Sequence, residues 1–168
     1  GGSLGAGKEQ MYEVVGWSTD TLDRVAPDRP RHLLGIGDVD DLIRGVELGI
    51  DTFDCAMPTR IGRHGTAVVA DPDKRWRLDL THATGREDHG PLADGCGCQA
   101  CAGGFSRAYI HHLLRQKEHT AMRLLTIHNL FFLARLMDVL RDSIGAGNLS
   151  DVAAELRAGK APWEVGRA

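Results

Sequence analysis

Three of the chain's four cysteines fall within six residues, Cys96-Gly97-Cys98-Gln99-Ala100-Cys101. A disulfide framework spreads its cysteines along the chain in an even-numbered pattern. Crowding of this kind on a glycine loop marks a metal site in a reducing compartment instead. The spacing C-x-C-x2-C supplies three thiolates close enough for one tetrahedral ion, and zinc then needs a fourth ligand. His111, His112, His119 and His128 are the candidates downstream. An iron–sulfur cluster is the alternative, weakened by the lack of a fourth cysteine nearby.

A chain of 168 residues, 42% hydrophobic and 26% charged, suits one ordinary globular domain. No apolar run approaches the ~20 residues needed to cross a bilayer. The opening Gly1-Gly2-Ser3-Leu4-Gly5-Ala6-Gly7 has neither the basic region nor the apolar core of a secretory signal. It also lacks an initiator Met, so the expectation is a chain that starts inside a longer protein or after processing, and a cytoplasmic location by default. The net charge of −3 argues against a protein coated in basic residues. Residues 55–86 are different: Arg60, Arg63, Lys74, Arg75, Arg77 and Arg86 stand against Asp71, Asp73 and Asp79. That local excess suits a phosphate-facing surface on an otherwise acidic molecule.

The first third reads as a helix from Lys8 to Val15, a proline-bearing loop over Asp23–Arg31, and a strand–helix–strand unit. Arg31–Gly37 is a short apolar strand ending in Gly-x-Gly. Asp38 is placed to cap a helix carrying Val39, Leu42, Ile43, Val46 and Leu48. Gly49 ends that helix, and an apolar strand with Asp54 at its end comes next. Such a crossover implies parallel strands. A carboxylate there reads either as a hydrogen-bonded structural Asp or as a functional group, because buried carboxylates are rare unless paired or functional. A lone histidine such as His32 on an apolar strand reads as structural. Pro58 is expected to stop regular structure, leaving Arg60, Arg63 and His64 on a glycine-punctuated loop.

Further on, Ala67–Ala70 and Trp76–Leu80 flank the turn sequence Asp71-Pro72-Asp73-Lys74, which predicts a hairpin with Trp76, Leu78 and Leu80 on one face. A polar loop then reaches to Gly95. Ser106 caps a helix reaching about Glu118. A longer helix carries Met122, Leu125, Leu133, Leu136, Met137, Leu140 and Ile144, and ends near Gly145. The tail from Asn148 reads as a polar helix and a disordered end.

The run Phe53-Asp54-Cys55-Ala56-Met57-Pro58-Thr59-Arg60-Ile61-Gly62-Arg63-His64-Gly65 closely resembles the nucleophile motif of the tRNA-guanine transglycosylases. The Gly1-Gly2 loop with Leu4-Gly5, the stretch His32–Gly37, and the stretches Ser106–Leu113 and Thr126–Leu130 resemble the same family, in its C-terminal half only. The resemblance implies an α/β fold, the C-terminal part of a (β/α)8 TIM barrel with a zinc-binding insertion. Residues 1–65 would be the last βα units and 66–128 the zinc-binding subdomain with hairpin and helix. Residues 129–147 would be the final barrel helix and 148–168 the tail. It implies that Cys96, Cys98, Cys101 and His128 hold a structural Zn2+, leaving His111 and His112 as helix-packing residues.

The same resemblance makes Asp54 the nucleophile in exchanging the wobble-position guanine of tRNA for a 7-deazaguanine base, 7-aminomethyl-7-deazaguanine or queuine. Gly1, Gly2, Leu4, Leu34 and Gly35 would contact that base, and Arg60 and Arg63 would hold flanking phosphates. The family is generally dimeric. The competing readings are a non-catalytic tRNA-binding subunit of the same fold, and a zinc module that binds RNA by itself.

Overall fold

The computed structural model describes residues 7–166. The chain divides into two compact units, residues 1–56 and 57–168.

The first unit contains α1 (Lys8–Val25), β1 (His32–Leu34), α2 (Val39–Glu47) and β2 (Thr52–Asp54). β1 and β2 pair in parallel, with His32 opposite Thr52, Leu33 opposite Phe53 and Leu34 opposite Asp54. This is the strand–helix–strand unit that the pattern predicts. Gly49 stops α2 at φ +85°, and the next amides turn back onto the last turn. Gly49 N–H donates to Val46 O at 3.0 Å and Ile50 N–H to Gly45 O at 2.9 Å, a Schellman motif. Ile50 then drops into the core with Met11, Val15 and Leu33. Because strand side chains alternate, Leu33 and Phe53 point to that core while His32, Thr52, Leu34 and Asp54 share the opposite, exposed face.

Two expectations change here. α1 runs to Val25 rather than ending near Val15. Beyond Thr19 the helix is exposed, and its only apolar residues there, Leu22 and Val25, meet no core, so burial periodicity gives little sign of it. Asp54 ends a strand that is exposed rather than buried. The buried acid of this unit is instead Asp41, which accepts hydrogen bonds from Lys8 Nζ at 2.8 Å and Tyr12 Oη at 2.6 Å. Those bonds tie α1 to α2.

The second unit runs α3 (Met57–Arg63), β3 (Thr66–Val68), β4 (Arg77–Asp79), α4 (Gln99–Ala102), α5 (Arg107–Arg115), α6 (His119–Ala146) and α7 (Leu149–Arg157). β3 and β4 form the expected antiparallel hairpin, with Ala67 opposite Leu78. Trp76 and Leu80 are buried on its inner face and Leu78 is half-buried. α6, at 28 residues, is the spine on which α3, β3, α4, α5 and α7 pack.

Three corrections belong to this unit. Pro58 does not end regular structure; it sits in the first turn of α3, where a missing N–H costs nothing. Arg60, and Arg63 three residues on, therefore lie on one face of a helix rather than on a loop. The tail helix α7 is amphipathic, not polar, and buries Val152, Ala153 and Leu156. The segment after it is anchored rather than loose. Trp163 is buried, donates its Nε1–H to Asp94 O at 2.9 Å and meets Phe132 edge-on at 5.7 Å. Among the described residues no helix is long and apolar enough to cross a membrane.

Candidate functional site

The metal centre is assembled from two distant pieces of the second unit. Cys98 caps α4, and its sulfur accepts the Cys101 N–H at 3.4 Å, so one helical turn brings the two thiols side by side. Cys96 joins them from the loop before. The fourth donor comes from the middle of α6, where His128 is fully buried. Its Nδ1 lies 3.7 Å from Cys96 Sγ, 3.4 Å from Cys98 Sγ and 3.6 Å from Cys101 Sγ.

Those distances test whether an ion fits. A tetrahedral zinc about 2.3 Å from each sulfur and about 2.0 Å from nitrogen puts sulfur and nitrogen about 3.5 Å apart. The four donor atoms all lie within 4.8 Å of one another, so the site is already closed around the volume of one ion. Nε2 faces Val68 O at 2.9 Å. That carbonyl accepts a hydrogen bond from Nε2–H, leaving the Nδ1 lone pair to face the thiols, the usual outer-shell device for orienting a ligating histidine. Of the four downstream histidines, His128 alone joins the three cysteines.

Without an ion, the crowded donors compete for protons. Hydrogen bonds from Cys101 and Cys96 hold the Cys98 thiol far below its ordinary value, and contacts with Cys101 and Cys98 push the Cys96 thiol up. Burial pulls His128 down, but hydrogen bonding to Cys101 and Cys98 outweighs it and pushes the ring up to about 9. Without an ion the cluster must share protons among crowded donors; an ion replaces those protons. A set of three thiolates and one imidazole suits zinc and leaves no open position, the mark of a structural site.

The residue after the histidine completes the fixation. Asn129 is fully buried. Its Oδ1 accepts Val68 N–H at 2.7 Å, while Nδ2 donates to Pro58 O at 2.9 Å and Thr66 O at 3.1 Å. His128 and Asn129 therefore bracket the Val68 peptide, locking α6 to β3 and to the start of α3. His111 is a packing histidine as expected, buried with Nδ1 2.7 Å from Leu80 O, whereas His112 is exposed.

The aspartate site lies in the first unit, where both parallel strands end. Gly35 adopts φ +75°, a left-handed conformation that glycine takes without strain. Its N–H reaches both Asp54 O at 2.9 Å and Asp54 Oδ1 at 3.0 Å. The Asp54 side chain is 61% exposed, so it is pinned on one oxygen yet open to solvent. Leu34 is exposed on the same face. Asp51 is engaged elsewhere, accepting the Arg31 N–H at 2.7 Å. The structure thus brings Leu34, Gly35 and Asp54 together; Gly1, Gly2 and Leu4 lie outside the described residues. Arg60 and Arg63 are exposed on α3 of the other unit.

One neighbour of Asp54 is not read from the sequence as part of a site. His32 Nε2 lies 3.4 Å from Asp54 Oδ1, and its Nδ1 is 2.7 Å from Thr52 Oγ1. The signal that could have found it is the register: a parallel pair places His32 and Leu34 beside Thr52 and Asp54 on one face.

A parallel βαβ unit presenting an open aspartate at its strand end, and a unit built on a three-cysteine, one-histidine centre that fits zinc, define an α/β protein with a metal-binding subdomain. Comparison with known proteins narrows this. The family model described as queuine tRNA-ribosyltransferase matches residues 1–161, and the chain belongs to that family. It is 51% identical over 155 residues to the queuine tRNA-ribosyltransferase of Roseiflexus sp. (strain RS-1), covering 92% of this chain and 38% of that protein. It is 44% identical over 149 residues to the enzyme of the same name from Symbiobacterium thermophilum, covering 89% and 35%. Against that of Cereibacter sphaeroides it is 38% identical over 163 residues, covering 97% and 41%. The chain therefore spans well under half the length of these relatives.

Proposed function

We propose that this chain is the nucleophile- and zinc-bearing C-terminal part of a tRNA-guanine transglycosylase, acting in queuosine biosynthesis. In this reading residues 1–65 are the last βα units of a (β/α)8 barrel, 66–128 the zinc-binding subdomain, 129–147 the final barrel helix and 148–168 the tail. The observation that carries the chemistry is Asp54: an exposed carboxylate at the C-terminal end of a parallel strand, held by the Gly35 amide through one oxygen. Barrel enzymes place their reacting groups at that end of the strands.

The reaction is a double displacement. An Asp54 oxygen attacks C1′ of the wobble nucleotide, forming a C–O bond as the bond to guanine N9 breaks and the departing base takes a proton. N9 of the 7-deazaguanine base, having lost its proton, then attacks C1′ and releases the Asp54 carboxylate. An anionic nucleophile suits an oxocarbenium-like centre, as in retaining glycosidases. The nucleotide has to be flipped from its stack for attack. Arg60 and Arg63 would hold the flanking phosphates from one face of α3, a sequence-independent contact that sets position. Leu34 and Gly35 would meet the base beside Asp54, together with Gly1, Gly2 and Leu4 from the stretch ahead of α1. The base is 7-aminomethyl-7-deazaguanine or queuine, and a homodimer in the cytoplasm is the expected working form. Zinc, where bound, braces the fold through Cys96, Cys98, Cys101 and His128.

The test is capture of a denaturant-stable tRNA adduct on the full-length protein carrying this segment. Asp54→Asn should abolish the adduct and leave the fold intact, because an amide is isosteric but a far poorer nucleophile. An adduct that persists in this variant assigns the nucleophile to another residue. A non-catalytic tRNA-binding subunit would form no adduct and incorporate no labelled guanine even with Asp54 in place.

A further inference from the structure

An exposed carboxylate turns freely about its side-chain bonds unless something fixes it, and an attacking oxygen must be aimed. At Asp54 both side-chain contacts within the unit fall on a single oxygen: Gly35 N–H at 3.0 Å and His32 Nε2 at 3.4 Å meet Oδ1. The ring is itself anchored, with Nδ1 2.7 Å from Thr52 Oγ1. Register explains the cluster. His32 pairs with Thr52 and Leu34 with Asp54, so the imidazole lies diagonally across one strand step from the carboxylate.

The protonation of Nε2 follows from elementary electrostatics. A bare nitrogen lone pair against a carboxylate oxygen repels it, so the stable arrangements carry a proton on Nε2. In the neutral ring Nδ1 then accepts from the Thr52 hydroxyl; in the imidazolium Nδ1–H donates to it. Both present an N–H to Oδ1. With the Gly35 amide donating to Oδ1 and the His32 ring 3.4 Å from the same oxygen, Oδ2 is the one left to attack.

We propose that His32, oriented by Thr52, is a positioning residue that holds the Asp54 carboxylate with Oδ2 turned to the reacting carbon. This rests on Asp54 being the nucleophile. His32 does not touch the reacting atoms; it acts through Asp54, and its contribution is to the rate of attack rather than to substrate affinity.

The experiment measures the single-turnover rate of adduct formation at saturating tRNA, together with Kd for tRNA and melting temperature, in the full-length protein carrying this segment. His32→Leu should slow adduct formation by about 10- to 100-fold, since small misplacements of a reacting group cost on this order. Kd and melting temperature should stay close to the parent values, because His32 is exposed. His32→Gln returns an amide N–H to about the place of Nε2–H and should recover most of the rate. Thr52→Val, which keeps shape but removes the anchor, should show a smaller loss than His32→Leu. Parent-like rates in His32→Leu, or a His32→Gln no better than His32→Leu, overturn the proposal. A weakened Kd with an unchanged rate also overturns it, because His32 would then be contacting substrate. Asp54→Asn separates the two claims. If it still forms the adduct, the nucleophile reading fails and this one with it; if it forms none while His32→Leu is parent-like, only the positioning role fails.

Discussion

Asn129 shows how much one buried side chain can hold. It serves three backbone groups, Val68 N–H, Pro58 O and Thr66 O, at 2.7, 2.9 and 3.1 Å. Asn129→Ala would take this partner from all three groups, with Pro58 O keeping only its bond inside α3. Each unsatisfied group costs about 1–3 kcal/mol, so denaturant unfolding should show a loss of about 2 kcal/mol or more. Asn129→Asp should also destabilise, since a carboxylate keeps the acceptor for Val68 N–H but sets a charge against two carbonyls. A variant within about 0.5 kcal/mol of the parent would show that water replaces the side chain. Legibility at this scale divides by the kind of spacing involved. The three cysteines stand within one loop, and their shared chemistry is local, so the sequence displays it. The choice of His128 over the other histidines comes from family resemblance, and the 3.4–3.7 Å contacts supply its geometric reason. His32 and Asn129 act across strands and helices, and nothing in their immediate neighbours announces it.

At the scale of elements, α3 is the informative case. Proline and glycine punctuation suggests a loop, yet both residues serve a helix. Gly62 is needed because α3 lies almost against α6: a Cβ there would come 2.9 Å from Thr126 Oγ1 and 3.1 Å from the Thr126 amide nitrogen. Gly→Ala in a helix interior ordinarily stabilises by roughly 0.5–1 kcal/mol. Here the steric cost of about 1–3 kcal/mol for overpacking wins, so Gly62→Ala should lower the melting temperature, and a rise would refute the close approach. The exposed face of α3 makes a separate prediction. Arg60→Ala and Arg63→Ala should each weaken tRNA binding and reduce the slope of log K against log salt by about one. Unchanged slopes in both would mean that this face meets no phosphate. The metal loop belongs to this scale as well. One zinc per chain should be found by elemental analysis, and Cys98→Ala should lose it and unfold the region from about Trp76 to His128, read by hydrogen exchange. Structural zinc contributes on the order of 10 kcal/mol in small modules, more than these short elements could replace.

At the scale of the whole molecule, the question is what the 168 residues can do by themselves. A complete (β/α)8 barrel takes about 250 residues, and this chain spans 38% of the Roseiflexus relative. Its parallel sheet has two strands in the described residues, each with an edge open to pairing. Trp17 is 67% exposed, Val25 72% and Leu34 51%, large apolar groups on one small unit that invite association. Displacement at a sugar also needs an acid–base group to protonate the leaving guanine and deprotonate the entering base. In the proposed reaction Asp54 is taken up as the nucleophile, while Asp51 is tied to the Arg31 amide and Asp41 is buried with Lys8 and Tyr12. None of the three is left to move that proton. The isolated segment should therefore bind zinc and associate, yet incorporate no labelled guanine into tRNA, while the same Asp54 in a full-length protein forms the adduct. Adding the separately produced N-terminal part of a relative should restore incorporation if the missing group lies there. Turnover by the isolated segment alone, at a rate comparable to intact relatives, would show that it carries its own proton-transfer group. His64, exposed just after the last residue of α3, would then be the first residue to replace.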